Sequence, residues 1–466
     1  MRDGLSQEPS IEPQIELTRE NLIREQDGDS KSIIVETNNS KTTKNSNLHN
    51  VIIHPRLKPA PFKIRDAYPT DLPKPTEICT VNDLKFYQNE ELPVNRRGFK
   101  YKLCKPNPIF TSNYYSTTDI EPYEVSLSWF DRSTGSYLSQ DCKALTSNQG
   151  WRSVRSNVGI REGIYYFEFK ILKSDDYSHV RIGLGRREAS IEAPVGFDGY
   201  GYGIRDVGGE LVFISRRKNV LIEEGFKTGD VIGFEVHLPS LSQQKKEIEE
   251  FVNLKKSEIP DHHTTKKRKT NTKNKKFNNI EDNEKFNEFN NILRDQIPTK
   301  SKGVLYYDQF EYTKTKMMDH LLNPITVFGE KAIIEMDDKT KNIPIISNSK
   351  IVLYKNGVKQ NETIENLYSF LPTNLEEIEE INLEPNLKQQ SNPNYKNNDD
   401  NTLGYYPMLS TFQNGAVSLN AGPEFEYPPE NTQIKPLSDR YNEHVIEEWY
   451  WDIIDEVEAQ YLDSFD

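Results

Sequence analysis

The chain has 466 residues, 59 of them basic and 72 acidic, for a formal net charge of -13, and only 35% are hydrophobic. That apolar share lies below the roughly 45–50% of an ordinary globular chain, so part of the length is expected to stay solvated around one moderate core. The acidic balance excludes a general polyanion binder, and aromatics at 11% exclude a wholly disordered chain.

Cys79, Cys104 and Cys142 are far apart and form no CxxC. A zinc ribbon or finger built from them is excluded, and the odd, sparse count suits a reducing compartment. The first residues, MRDGLSQEPSIEPQIE, lack an apolar signal core, and no run of about 18 apolar residues occurs. The expectation is an intracellular protein without a membrane span.

In chain order, residues 1–50 are polar and rich in Asn, Ser and Lys, and 51–76 are rich in proline. Both read as an extended, unfolded leader. From 77 onward short β-type runs follow one another: EVSLSWF (124–130), GIYYFEFKIL (163–172), HVRIGLG (179–185), GYGIRD (201–206), ELVFIS (210–215), DVIGFEVHL (230–238), KIVLYKNGV (350–358) and GAVSLNAG (415–422). Turn residues separate them, which predicts an all-β sandwich or barrel. Asn356-Gly357 marks a tight hairpin. In GIYYFEFKIL, Tyr165, Phe167, Phe169 and Ile171 share one face. Tyr166, Glu168 and Lys170 share the other, which is expected to be solvated.

Two polar stretches, 241–302 and 371–403, show no strand periodicity and read as surface insertions. The first contains KKRKTNTKNKK (266–276), with seven basic residues (Lys266, Lys267, Arg268, Lys269, Lys273, Lys275 and Lys276) and no acid. A nuclear signal, a phosphate contact on DNA and a solvated loop all fit this run. Arg96, Arg97, Lys100, Lys102 and Lys105 form a second basic patch. At the C-terminus, 443–463 predicts an amphipathic helix capped by Ser438 or Asp439. Tyr450, Ile454, Val457 and Tyr461 recur at helical spacing, widened by Ile446 and Ile453. A lone helix cannot bury such a stripe by itself.

The segments GWRSVRSNVGIREGIYYFEFKIL, EAPVGFDGYGYGIRD, DVIGFEVHLP, IVLYKNGV and AVSLNAGPEFEYPP, in this order, resemble a SPRY domain. They are most similar to the SPRY subunit of COMPASS-type complexes that methylate lysine 4 of histone H3, the trithorax-group "absent, small or homeotic discs" family. EHVIEEWYWDIIDEVEA resembles that family's terminal helix. The resemblance covers roughly 98–437, minus the two insertions, and implies a two-sheet antiparallel β-sandwich and a partner-binding helix in 438–466. With the change of pattern at 77, the sandwich is placed at 77–437, after a disordered and Pro-rich 1–76.

The same resemblance implies a non-catalytic nuclear scaffold without cofactors or metal. It would bind an acidic segment of a WD40 scaffold subunit through Trp151, Arg181, Pro194, Phe197 and Arg205. It would bind a small dumpy-thirty-type helical dimer through Tyr450, Ile453, Ile454, Val457 and Tyr461. Together these partners would support a SET-domain methyltransferase subunit, with nucleosomal DNA as a further partner of the basic segments. Tyrosine stands at the Trp151 and Phe197 positions in the metazoan pattern, so stacking survives here while the phenol hydrogen bonds are lost. From spacing alone, structural ion pairs and core aromatics would account for the same residue types.

Enzyme motifs fail on context. GLGRR (183–187) lacks the third glycine of a dinucleotide fingerprint, and GYGYG (199–203) leads into a strand. No Walker A, GxSxG or HExxH occurs. His262 and His263 sit in the basic insertion with no third ligand nearby. A SPRY-type substrate adaptor of a ubiquitin ligase is the alternative reading.

Overall fold

The computed structural model describes residues 76–88, 123–258, 343–371, 402–431 and 433–447. It also gives the backbone strands Lys102–Pro106, Tyr115–Thr117, Ile292–Ser301 and Val304–Tyr312. Residues 1–75, the basic run 266–276, Arg96, Arg97, Lys100 and the helix anchors Tyr450, Ile453, Ile454, Val457 and Tyr461 lie outside the described residues.

Two antiparallel sheets face each other. The seven-stranded sheet runs, in spatial order, Arg216–Val220, Glu210–Phe213, Gly201–Arg205, His179–Gly185, Tyr406–Phe412, Trp151–Ser156 and Leu127–Arg132. The ten-stranded sheet is centred on Gly163–Lys173, with Val231–Leu238 on one side and Ala416–Asn420 on the other. Each buries one face against the other, as strand alternation requires. Val180, Ile182, Leu184 and Ile204 from the smaller sheet meet Phe167, Phe169 and Phe234 from the larger in one cluster. Phe167 stacks on Phe234 at 5.4 Å and Phe169 meets Phe234 edge-on at 5.0 Å. Asn356 and Gly357 both adopt positive φ (49° and 79°), so the hairpin between Lys350–Lys355 and Val358–Glu365 turns as the Asn-Gly pair predicts.

Three features depart from the sequence reading. First, the far face of Gly163–Lys173 is only partly solvated: Lys170 stays half-exposed as expected, but Tyr166 and Glu168 are both buried. The chain returns over them at 420–427, and Glu168 accepts hydrogen bonds from the Glu426 N–H (2.9 Å), the Tyr427 N–H (2.7 Å) and Asn420 Nδ2 (3.1 Å). The Tyr166 hydroxyl donates to the Tyr427 carbonyl at 2.9 Å. A covering segment more than 250 residues away leaves no trace in a period-2 pattern.

Second, the polar stretch 241–302 opens with a helix, Leu241–Glu258. Gln244 and Ile248 are buried, and Leu241 and Val252 pack on the core beside them. This narrow stripe is helical in spacing, and the surrounding charges mask it. The same stretch ends in a strand, Ile292–Ser301, which pairs with Val304–Tyr312 in a separate four-stranded sheet.

Third, the C-terminal helix is rooted in the sandwich. Residues 440–447 are helical, Leu437 and Tyr441 are buried, and Val445 packs against the core. Arg440 donates from Nε to the Gly159 carbonyl (3.1 Å) and pairs with Glu443 (3.2 Å) and Glu447 (2.7 Å).

Candidate functional site

Arg181 lies in HVRIGLG, where alternation decides its direction. Val180, Ile182 and Leu184 point into the core, so Arg181 points to the outer face of the seven-stranded sheet. Register places Arg205 directly opposite it on one side and Ser410 on the other, with Ser153 beyond Ser410. The row across four strands is Arg205, Arg181, Ser410, Ser153.

The two serines fasten a loop over this face. Ser153 Oγ donates to the Ala193 carbonyl (2.7 Å), and the Val195 N–H donates to Ser410 Oγ (2.9 Å). The loop then turns at Pro194–Phe197, closed by the Phe197 N–H on the Pro194 carbonyl at 2.9 Å. Gly196 takes a φ of +82° there, and a Cβ would stand 2.2 Å from the Val212 carbonyl oxygen, so no other residue fits. Asp198 holds the loop's far side by accepting the Ser190 and Tyr200 N–H groups, both at 3.0 Å. Burial pushes its carboxyl up to about 6, against the pull of those two hydrogen bonds.

This arrangement forms a cleft with a cationic floor. The Arg181 guanidinium sits 5.1 Å from the Trp151 ring centroid, and Trp151 leans on Phe412 at 5.4 Å. Arg181 Nη1 donates to the Val195 carbonyl at 3.2 Å, while its Nε is buried with no hydrogen-bond partner among the described residues. Burial, with Arg205 and Arg217 adding repulsion and Asp206 partly opposing it, pushes Arg181 down to about 10, so it remains a cation at neutral pH. Like charges directly opposite across two strands destabilise a sheet. Arg205 is relieved by Glu210 at 2.9 Å; no carboxylate lies within ion-pair distance of Arg181 among the described residues.

Of the sequence-predicted set, Trp151, Arg181 and Arg205 come together on the sheet. Pro194 and Phe197 bound the turn whose Val195 carbonyl holds Arg181. Sequence reasoning missed Phe412, which backs Trp151, and the pair Glu210 and Arg217 at 3.7 Å. Period-2 pairing across Val207-Gly208-Gly209 could have placed Glu210 opposite Arg205. The assembly has the chemistry of an anion receptor: a planar cation for a carboxylate and an aromatic wall that excludes water. Among the described residues, no group of three or more His, Cys, Asp or Glu side chains could hold a metal ion, and no helix is long and apolar enough to cross a membrane.

No family model matches the chain. Relatives do. The COMPASS component cclA of Colletotrichum higginsianum is 34% identical over 423 residues, covering 80% of this chain and 69% of that protein. The COMPASS component BRE2 of Saccharomyces cerevisiae is 30% identical, with 80% of this chain and 89% of BRE2 aligned. The Set1 complex component ash2 of Schizosaccharomyces pombe is 33% identical over 86% of this chain, which spans about half (52%) of that relative. Among solved structures, a human SPRY domain overlays 61% of this chain and 95% of its own length at 10% identity and a TM-score of 0.26, too low to bear on the argument. The chain belongs to the family of COMPASS components that includes cclA, BRE2 and ash2.

Proposed function

We propose that this chain is a non-catalytic, nuclear subunit of a COMPASS-type complex that methylates lysine 4 of histone H3. In this reading, its sandwich over 77–437 is a SPRY domain that grips an acidic segment of the WD40 scaffold subunit. One observation carries the reading of the cleft: Arg181 is drawn into a half-buried, aromatic-walled site, with Arg205 beside it and its Nε unpaired among the described residues. A structural arginine in the same sheet is satisfied differently. Arg155 makes a two-pronged pair with Asp131 at 2.6 and 2.7 Å and donates to the Arg186 and Ala189 carbonyls. The terminal helix in 438–466 is assigned to a small helical dimer, and the basic run 266–276 to nuclear import or nucleosomal DNA. Both partners would sit beside the SET-domain subunit, whose activity the chain would support.

The test is calorimetric titration of the full chain with the WD40 subunit, followed by methyltransferase assays on nucleosomes with and without the chain. Arg181→Ala and Arg205→Ala are each expected to weaken the WD40 interaction while leaving the melting curve in place. Unchanged affinity in both would remove the cleft from the mechanism. Co-purification with a cullin-type partner in place of the WD40 subunit would favour the ubiquitin-ligase adaptor.

A further inference from the structure

The cationic cleft is not empty of carboxylate. Glu210 begins the strand after Arg205, and its Oε2 lies 2.9 Å from Arg205 Nη1 and 3.7 Å from Arg217 Nε. Arg217 comes from the edge strand Arg216–Val220, whose RRK run is mostly exposed. Glu210 and Arg205 are both half-buried, whereas Arg217 is largely exposed. With Arg181 directly opposite Arg205, and Asp206 acting on Arg181 from beyond ion-pair distance, two guanidinium groups therefore share one internal carboxylate, Glu210, leaving net positive charge in a site of reduced dielectric. Arg181 is outside the reach of that carboxylate and carries the excess.

Resting on the reading of this cleft as an acidic-peptide site, we infer that Glu210 is its resident counter-ion. It stands in for the partner's carboxylate, and an incoming acidic segment must win Arg205 and Arg217 from it. Arg217 thereby joins the recognition set. The device sets specificity as well as affinity. A segment with one carboxylate can engage Arg181 but gains little from Arg205, which is already neutralised. A segment with clustered carboxylates offers Arg181, Arg205 and Arg217 a partner each, and Glu210 is left facing solvent.

The experiment uses the purified full chain and a fluorescein-labelled octaglutamate peptide, with octaglutamine as the blank, read by anisotropy at moderate salt. Glu210→Gln keeps an acceptor for Arg205 and removes the charge. It is expected to tighten octaglutamate binding roughly three- to tenfold, the size of a partly exposed ion-pair effect. Arg217→Gln is expected to weaken binding roughly two- to fivefold. Glu362→Gln, an exposed site on the other sheet, controls for net charge and is expected to change little.

Opposite signs for the two cleft variants carry the inference. If Arg181→Ala abolishes octaglutamate binding but Glu210→Gln leaves it unchanged or weaker, or if Glu362→Gln tightens it equally, the counter-ion role is overturned and the cleft reading stands. If neither the parent chain nor Glu210→Gln binds octaglutamate above octaglutamine, both fall. Should Glu210→Gln fail to fold, the sign of the Arg217→Gln effect decides alone, and tighter or unchanged binding overturns the inference.

Discussion

The outer faces of the two sheets each hold a charged side chain drawn in from solvent, and they treat it in opposite ways. On the ten-stranded sheet Glu168 is fully buried and collects three hydrogen bonds from the returning segment 420–427. On the seven-stranded sheet Arg181 keeps one carbonyl partner, faces a second arginine and leaves its Nε unpaired among the described residues. Burying a charge is costly unless it is paired and hydrogen-bonded. Glu168 meets that condition with the chain's own atoms, so it acts as a clamp. Arg181 does not meet it, and the shortfall is what an external carboxylate could supply. On the proposed reading of the cleft, the contrast is one between structural and receptive charge.

The largest expected effect lies on the clamped side. Glu168→Ala strands two backbone N–H groups of the segment and takes from the Asn420 amide one of its two acceptors, the Glu424 carbonyl remaining. Each unsatisfied donor costs about 1–3 kcal/mol, so a loss of roughly 3–5 kcal/mol is expected, read as a lower urea midpoint. If the midpoint holds, the segment 420–427 is not anchored by this carboxylate.

On the receptive side, Arg181→Ala is expected to cost ~2–5 kcal/mol in affinity for an acidic partner segment. Stability should stay within about 1 kcal/mol of the parent, because removing the guanidinium also removes repulsion with Arg205. Arg155→Ala should do the reverse, destabilising by ~3–5 kcal/mol because Asp131 would lose its closest guanidinium partner. Equal melting losses for Arg181→Ala and Arg155→Ala would erase the distinction between the two faces.

The inner faces of both sheets were legible because alternation is a local signal. HVRIGLG, GIYYFEFKIL and DVIGFEVHL form strands within a residue or two of their predicted bounds, and the direction of Arg181 follows from its neighbours Val180 and Ile182. The outer faces were not legible. Glu168 looked solvated because its cover lies more than 250 residues away, and Ser136–Ser139 and Ala144–Ser147 are buried on both faces and so do not alternate. Tyr406–Phe412 escaped notice as a short run containing Pro407, a residue unusual away from sheet edges. In the site, Trp151, Arg181 and Arg205 rested on a family resemblance. Glu210 was within reach of a hairpin count across Val207-Gly208-Gly209, whereas Arg217 required the irregular register of the next strand pair, which no spacing in the sequence encodes.

The smallest expected effect is a pH dependence in the loop that roofs the cleft. Asp198 ionises at about 6 in the folded chain, against 3.8 for an ordinary side chain, because burial disfavours its charge. The folded state therefore holds this proton more tightly than the unfolded state between those values. Its contribution to stability is present below about pH 4 and is lost as pH rises towards 6. The size is on the order of 3 kcal/mol at most, at about 1.4 kcal/mol per pKa unit. Asp198→Asn keeps an acceptor for the Ser190 and Tyr200 N–H groups and removes the ionisation. Over pH 4–6 the variant's stability should fall less steeply than the parent's, by the slope one titrating group contributes. Because Asp198 anchors the loop whose Val195 carbonyl holds Arg181, the same variant should also remove any change in acidic-peptide affinity that this carboxyl causes over that pH range. Parallel stability–pH curves for parent and variant would show that the loop is held without a proton at Asp198, and that the roof of the cleft is insensitive to its charge.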